Sequence, residues 1–326
     1  WAAKVKYWLS FINAEYYFVT FTIPKKLELI VKVNKRLLYN ALFKSASYAI
    51  LSFYNEKRVT GGIIAILHIV GRTLNYHPHI HLLCTYGGLL FNKSAWKEVF
   101  LPCKVLQARF KQHFLDTLRT YYQQGKLEFP EDMQFDNFDK FNAFLNSLAQ
   151  KHWQIKRKGP LSAVTAAIDY TARYLGKPPI SEKRICWFNY KTVCFVFKDY
   201  LNKAVERKCY MDKDEFCFRL THAVPVPRLP MVRFYGLFST RSKNKLMEQA
   251  AKFIPPPEGV ELLRCPPPKT LREHRRYKTG VDPLKCPNCN IDLDLVKNYF
   301  PGQLTVSFEQ LMTEWQEEPA LVPTPT

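Results

Sequence analysis

The sequence predicts an α+β protein in which helices pack on an antiparallel β-sheet. Three observations carry that expectation. Segments dense in β-branched and aromatic residues interleave irregularly with segments of helical periodicity. Neighbouring strand segments often have no helix between them, so they lack the crossover that parallel pairing needs. The chain has 326 residues, enough for a sizeable core in one large domain or two smaller ones.

Residues 1–13 are basic and aromatic and read as the remnant of a missing N-terminal region. Glu15 to Ile23 is rich in β-formers and stops at Pro24, which predicts a strand. From Lys25 to about Tyr54, apolar residues recur at helical spacing (Leu27, Ile30, Val33, Leu37, Leu38, Leu42), giving one long helix or two. Gly62 to Gly71 and His77 to Cys84 read as two strands around the polar connector Arg72 to Tyr76, closing at Gly87-Gly88. Helices are expected at about 104–124 and 135–151, followed by a short basic strand from Trp153 to Lys158. Gly159-Pro160 is expected to break the chain. Ser162 then caps a helix reaching Leu175, stopped by Gly176 and Pro178-Pro179. Arg184 to Phe188 and Thr192 to Lys198 read as strands joined by a tight turn at Asn189-Tyr190, and Met231 to Phe238 as a further strand. Beyond Arg241 the chain is basic and helical, then proline-rich, and is expected to end in a disordered tail. The expected organisation is therefore a remnant at 1–13, one domain at 14–240 and an accessory C-terminal region at 241–326.

Lys and Arg total 48 against 28 Asp and Glu, a net charge of +20, which favours a polyanionic partner. The chain has no run of about 18 apolar residues, and its start resembles no signal peptide. Nucleic acid is thus the expected partner rather than a membrane, and the cytoplasm the expected location. Nine scattered cysteines, an odd number, suit a reducing compartment better than a disulfide framework.

The chemistry centres on His77-Pro78-His79-Ile80-His81. Alternate strand residues share a face, so His79 and His81 project together while Ile80 points the other way. Two such imidazoles can each give a nitrogen to one metal ion, although two ordinary strand histidines fit the same pattern. The upstream strand changes the balance because it carries His68. A hairpin turning near Thr73-Leu74 places His68 opposite His79 or His81, on their face; pairing with Ile80 would place it on the other. His77 is the rival third ligand, with Asp169 or another carboxylate as a further contributor. The longer zinc-hydrolase pattern His-x-His-x-Asp-His does not fit, since Leu83 and Cys84 stand at its later positions.

Tyr170 and Tyr174 lie four apart on the 162–175 helix, so both phenols project from one face beside Asp169, Arg173 and Lys177. Amphipathic core tyrosines give the same spacing. A phenol with an ordinary pKa of about 10 becomes a useful nucleophile only beside a cation that stabilises phenolate and developing phosphate charge. Lys156, Arg157, Lys158, Arg173, Lys177 and Lys183 are the candidate phosphate contacts lining a groove by that helix.

These motifs resemble the two-tyrosine HUH transposases of rolling-circle insertion sequences. The resemblance rests on Leu67-His68, on Asn75-Tyr76-His77-Pro78-His79-Ile80-His81 with Gly87-Gly88-Leu89, and on Tyr170-Thr171-Ala172-Arg173-Tyr174-Leu175-Gly176-Lys177. Val232-Arg233-Phe234-Tyr235-Gly236 and Thr279-Gly280-Val281-Asp282-Pro283-Leu284-Lys285-Cys286-Pro287-Asn288-Cys289 extend it, in the family's order, over roughly residues 15–290. It implies an HUH-endonuclease-like core with RRM- or palm-like topology within 14–240. It further implies a divalent ion on His79 and His81, and 5′-phosphotyrosine links from Tyr170 and Tyr174 to single-stranded DNA at transposon ends and target. Mg2+ or Mn2+ is the expected ion. Family members usually carry a cysteine-rich zinc ribbon before the first strand, and the sequence from Trp1 onward does not include one. Near the other end, Cys286 and Cys289 make half a Zn2+ site that Cys265 and His274 could complete across an irregular gap, with unligated thiols as the alternative. A relaxase or rolling-circle replication initiator shares the same chemistry. A non-catalytic single-strand binder with exposed aromatics on a basic sheet is the alternative of a different class. No motif specifies an oligomeric state.

Overall fold

Tyr76–Thr85, dense in Ile, Leu and Cys, is the middle strand of a five-stranded antiparallel sheet, and its register organises the rest. In the computed structural model the described residues are 9, 12–161, 179–199, 205–239, 243–256, 270, 272, 273, 276 and 280–293. In chain order the strands are β1 (Tyr16–Thr22), β2 (Val59–Thr60), β3 (Gly62–Val70), β4 (Tyr76–Thr85), β5 (Gly88–Leu90), β6 (Trp96–Lys97) and β7 (Ile155–Leu161). They continue as β8 (Ile185–Phe188), β9 (Thr192–Asp199), β10 (Val205–Asp212) and β11 (Val232–Gly236). The helices are α1 (Lys25–Val33), α2 (Lys35–Glu56), α3 (Cys103–Gln123), α4 (Phe138–Ala149), α5 (Lys213–His222) and α6 (Lys243–Ala251). The chain divides into two compact units, Trp1–Pro266 and Pro267–Thr326. The fold is α+β with antiparallel sheets, as the interleaved strands and helices predict.

The main sheet has the order β11-β3-β4-β1-β7. Alternation gives it two unlike faces. Val19, Phe21, Ala65, Leu67, Ile80 and Leu82 point to one, where they join Leu42, Phe43, Phe110, Phe114, Phe141 and Trp153 from the helical side in the larger core. Phe18, Ile64, Ile66 and Leu83 point to the other, beneath Leu9, Ile12, Phe238, Met247 and Ala250. Each buried Val, Leu, Ile, Phe or Met among them stabilises the fold by roughly 1.5–3 kcal/mol. Among the described residues the second core occupies one end of its face. Towards the β3–β4 turn that face carries Thr20, Thr22, His68, His79 and His81 instead, in the same alternation.

The predicted helix over 25–54 is two helices, broken at Asn34. The Asn34 side chain donates to the carbonyls of Ile30 and Glu128 and accepts from the Glu128 N–H, tying the break to a distant loop. Gly159-Pro160 does not end the strand there: β7 runs through it to Leu161. β7 is an edge strand, where the N–H that proline lacks has no ladder partner to lose, and the pairing with β1 is irregular between Tyr16 and Phe18 at that level. The expected 162–175 helix and the C-terminal tail lie outside the described residues.

A second sheet, β10-β9-β8, packs on α5, and a third, β2-β5-β6, consists of two- and three-residue strands. The β8–β9 turn falls where Asn189-Tyr190 predicts it, with the Asn189 side chain accepting from the N–H groups of Lys191 and Thr192. β10 and α5 had no counterpart in the sequence reading. β10 is largely charged, Val-Glu-Arg-Lys-Cys-Tyr-Met-Asp, because the small core takes only Cys209 and Met211 from it.

β11 ends at Gly236, with φ +60, where a Cβ would stand 1.9 Å from the Gly61 carbonyl oxygen. Gly236→Ala should therefore lower unfolding free energy by about 2 kcal/mol or more, read from urea denaturation, with no change in any binding residue.

Candidate metal centre

The β3–β4 hairpin turns through Gly71–Asn75. Gly71 N–H donates to the Asn75 carbonyl at 2.8 Å, and Leu74, at φ +60, is fully buried. The resulting register pairs His68 with His79, and Ile66 with His81. On the other side of β4, β1 brings Thr20 opposite His81 and Thr22 opposite His79. His68, His79 and His81 consequently share one face. One ring nitrogen from each can be chosen so that all three lie within 4.8 Å of one another, and among the described residues no other group of three metal-ligating side chains does this. Ring centroids stand 5.4 Å (His68–His79), 4.6 Å (His68–His81) and 4.8 Å (His79–His81) apart.

Second partners orient the rings. His79 Nδ1 donates to the His77 carbonyl at 2.6 Å, which leaves Nε2 with its lone pair. His81 Nδ1 lies 3.0 Å from Thr20 Oγ1. Burial, and then the neighbouring His68, pushes the His79 pKa down to about 3. Burial, and then His79 and His68, pushes His81 down to about 2. Both rings are therefore neutral at physiological pH, the form in which an imidazole ligates a metal. The cluster fits a divalent ion by donor type and spacing, and its three nitrogens leave coordination positions for other ligands.

His77, the rival third ligand, stands with its ring centroid 5.1 Å from that of His79 but outside the group of three nitrogens. Its Nδ1 lies 2.6 Å from the carboxylate of Glu28, a buried acid on α1. Glu28 and His77 line a cleft of about 310 Å³ with Thr22, Lys25, Asn75, His152 and Gln154. Neither Glu28 nor Thr20 was singled out from the sequence. Glu28 does leave a trace there, as a lone acid among Leu27, Ile30 and Val31 on the apolar side of α1.

The basic run on β7 splits by alternation. Lys156 pairs with Thr20 and so falls in the cross-strand row of Thr20, His81 and Ile66; Lys158 pairs with Phe18 on the same face, and both are exposed. Arg157, opposite Val19, turns to the helical side, donates to the Leu101 carbonyl and lies over the rings of Tyr17 and Phe100 at 4.9 and 4.2 Å. Lys183 is exposed in the short helical turn Glu182–Arg184 ahead of β8. Asp169, Tyr170, Arg173, Tyr174 and Lys177 lie outside the described residues.

In the second unit, the backbone N–H groups of Cys289 and Asn288 are directed at the Cys286 sulfur and hold its thiol below the usual range. Asn290 follows at φ +61, and Lys285 bridges to Asp292. Cys265 and His274, the expected companions, lie outside the described residues.

A family profile described as "Putative transposase" (Y2_Tnp) matches residues 62–246, from β3 to α6, more than half of the chain. The chain belongs to this family. It is similar to "Putative transposase y4qJ" of Sinorhizobium fredii, with 28% identity over 304 residues, covering 89% of this chain and 75% of that protein. It is also similar to "Transposase for insertion sequence element IS801" of Pseudomonas savastanoi pv. phaseolicola, with 26% identity over 276 residues, covering 83% of this chain but 65% of that protein. No solved structure matches it. The matched segment contains all three clustered histidines. No helix among the described residues is long and apolar enough to cross a membrane.

Buried neutral histidines give a pH dependence of known sign. An unfolded imidazole takes up a proton near pH 6.5, whereas His79 stays neutral down to about 3. The unfolded chain thus binds more protons in between, and stability is lost as pH falls through that window. Melting temperature in chelator should drop from pH 7 to pH 4, and His79→Asn should make that decline shallower.

Proposed function

We propose that this member of the transposase family nicks and rejoins single-stranded DNA through covalent 5′-phosphotyrosine links, with a divalent ion held by His68, His79 and His81. The observation that carries the reading is the set of three imidazole nitrogens within 4.8 Å of one another on one hairpin. The bound ion would supply positive charge at the scissile phosphate and offset charge in the transition state. Mg2+ or Mn2+ is proposed, since both leave positions for phosphate oxygens.

The chain's own residues do the rest. His79, anchored through Nδ1 to the His77 carbonyl, and His81, beside Thr20, hold their ring planes fixed. Tyr170 and Tyr174 are proposed as the nucleophiles, on the strength of the motif that contains them. A phenol oxygen gives up its proton and attacks phosphorus, the bond from phosphorus to the 3′ oxygen breaks, that oxygen takes up one proton to become a 3′ hydroxyl, and the 5′ end stays on tyrosine. Two tyrosines suit two sequential transfers, one holding the first end while the other attacks. The catalytic unit of this reading is residues 14–240, with 241–326 as an accessory region where Cys286 and Cys289 supply two of the four ligands of a Zn2+. Of the basic candidates, Lys156 and Lys158 flank the histidine face; Arg173, Lys177 and Lys183 are proposed as further phosphate contacts. Rolling-circle transposition of an insertion sequence is the process this chemistry serves.

Incubation with labelled single-stranded DNA and Mn2+ should yield a covalent protein–DNA adduct, absent with chelator and in His79→Ala/His81→Ala. Tyr170→Phe or Tyr174→Phe should each retain some cleavage but fail to complete strand transfer. A wild-type protein that forms no adduct with any divalent ion overturns the reading.

The split of the basic run gives a second outcome. Lys156→Ala/Lys158→Ala should weaken DNA binding whatever the sequence and reduce the slope of log affinity against log salt by about 1.4, at about 0.7 per single-strand phosphate contact. Arg157→Ala should instead lower thermal stability and leave that slope unchanged, because its guanidinium serves packing.

A further inference from the structure

The small sheet β10-β9-β8 also has two unlike faces. Register puts Ile185, Phe195 and Cys209 in one row and Val193 with Met211 in the next, and these residues form the small core with Phe216 and Leu220 of α5 and Leu74 of the hairpin turn. The opposite face carries the row Trp187, Cys194, Tyr210, followed by Val196 and Lys208. The Trp187 and Tyr210 rings stand 6.3 Å apart across the intervening strand, whose Cys194 is fully buried. The rings themselves stay open to solvent, at 43% and 60% exposure. Tyr190, at 77%, stands in the β8–β9 turn with Lys191 Nζ 5.7 Å from its ring centroid, while Phe188, opposite Val193, belongs to the other face. An exposed aromatic cluster on a sheet whose inner face already fills a core marks an interaction surface.

We propose that this face is a docking platform for single-stranded nucleic acid, with unstacked bases lying on Trp187 and Tyr210 and phosphates meeting Lys183, Lys191 and Lys208. The proposal rests on the reading of the chain as a protein that acts on single-stranded DNA, and adds a contact surface separate from the histidine centre. Charge selects this occupant over a protein surface. The exposed lysines Lys191 and Lys208 adjoin the rings, whereas protein interface cores are depleted of lysine. Of the nearby acids, Asp199 pairs with Arg207, Asp212 caps α5 through the N–H groups of Asp214 and Glu215, Glu206 lies opposite Lys198 at the far end of β10, and Glu182 adjoins Lys183 ahead of β8. Single strands offer free base faces for stacking, which a duplex keeps inside.

The platform is fastened to the hairpin that bears the histidines. Arg72 donates to the Lys198 carbonyl, Arg184 to the Arg72 carbonyl and Arg219 to the Thr73 carbonyl. These three bonds join the sheet that carries the platform to the hairpin that presents His68 and His79.

The test is equilibrium binding of a short fluorescent oligothymidylate to the full chain, with Trp187→Ala/Tyr210→Ala and Trp187→Phe/Tyr210→Phe as variants. Each ring lost to alanine should weaken binding about tenfold and the pair about a hundredfold, with the phenylalanine pair close to wild type. In wild-type protein, an oligonucleotide carrying 5-iodouracil should photocrosslink to peptides containing Trp187 or Tyr210, a readout that needs no variant to fold. Unchanged affinity in the double alanine variant, or crosslinks confined to other peptides, would overturn the platform. So would a variant that loses self-association in sedimentation while keeping DNA affinity, since the face would then join two copies of the chain. If binding depends on these rings but wild type forms no covalent adduct, the strand-transfer reading fails and the platform stands; an adduct without ring dependence fails the platform alone.

Discussion

The register between β3 and β4 is the constraint on which the centre depends. Side chains on a strand alternate with a period of two, so slipping one residue would carry His68 to the helical face and bring Leu67 or Ile69 in its place. Several features oppose that slip at once. Leu67 and Ile80 are fixed in the larger core and Ile66 in the second one, so both faces of the hairpin are committed. The pairing irregularity between His68 and Val70 and the Gly71–Asn75 turn, with Leu74 buried in the small core, close the end of the ladder. A cluster of three imidazoles is thus held by packing that involves none of them.

The two-faced main sheet divides labour. Helices α2, α3 and α4 cover one face with aromatic and aliphatic side chains, which supplies the stability. On the other face the second core takes one end, and the polar side chains Thr20, Thr22, His68, His79 and His81 gather at the other. Holding imidazoles there costs their charged form: burial keeps His79 and His81 neutral far below the pH at which a free imidazole would protonate. What would be a destabilising burial in acid is a ligand set in waiting at neutral pH.

Charge acts at two scales. The excess of Lys and Arg suits a nucleic-acid partner for the whole chain, in keeping with its transposase family. Locally, three consecutive basic residues divide between roles. Lys156 and Lys158 face the histidine side, and Arg157 spends its guanidinium on a carbonyl and two aromatic rings of the scaffold. Arginine suits that place because its planar cation stacks on rings while donating hydrogen bonds, which an ammonium does less well.

Much of the architecture was legible in the residues. Alternation and β-branched runs marked β1, β3, β4, β8 and β9, helical periodicity marked α2 and α3, and polar residues between two apolar runs marked the hairpin that unites the histidines. These are local signals, and a short window of sequence contains all of each. Other features depended on partners far along the chain. Whether His68 meets His79 or His81 is a matter of register. His77 Nδ1 meets Glu28, 49 residues away, and His81 meets Thr20, 61 residues away. Nor could β10 be read, since its few inward side chains are diluted by charges on its open face. The sequence alone determined the α+β class, the hairpin and the three histidines on it. Only the tertiary structure decided their mutual pairing, their hydrogen-bond partners and the facing of the lysines, because each depends on contacts between strands and helices that no local pattern encodes.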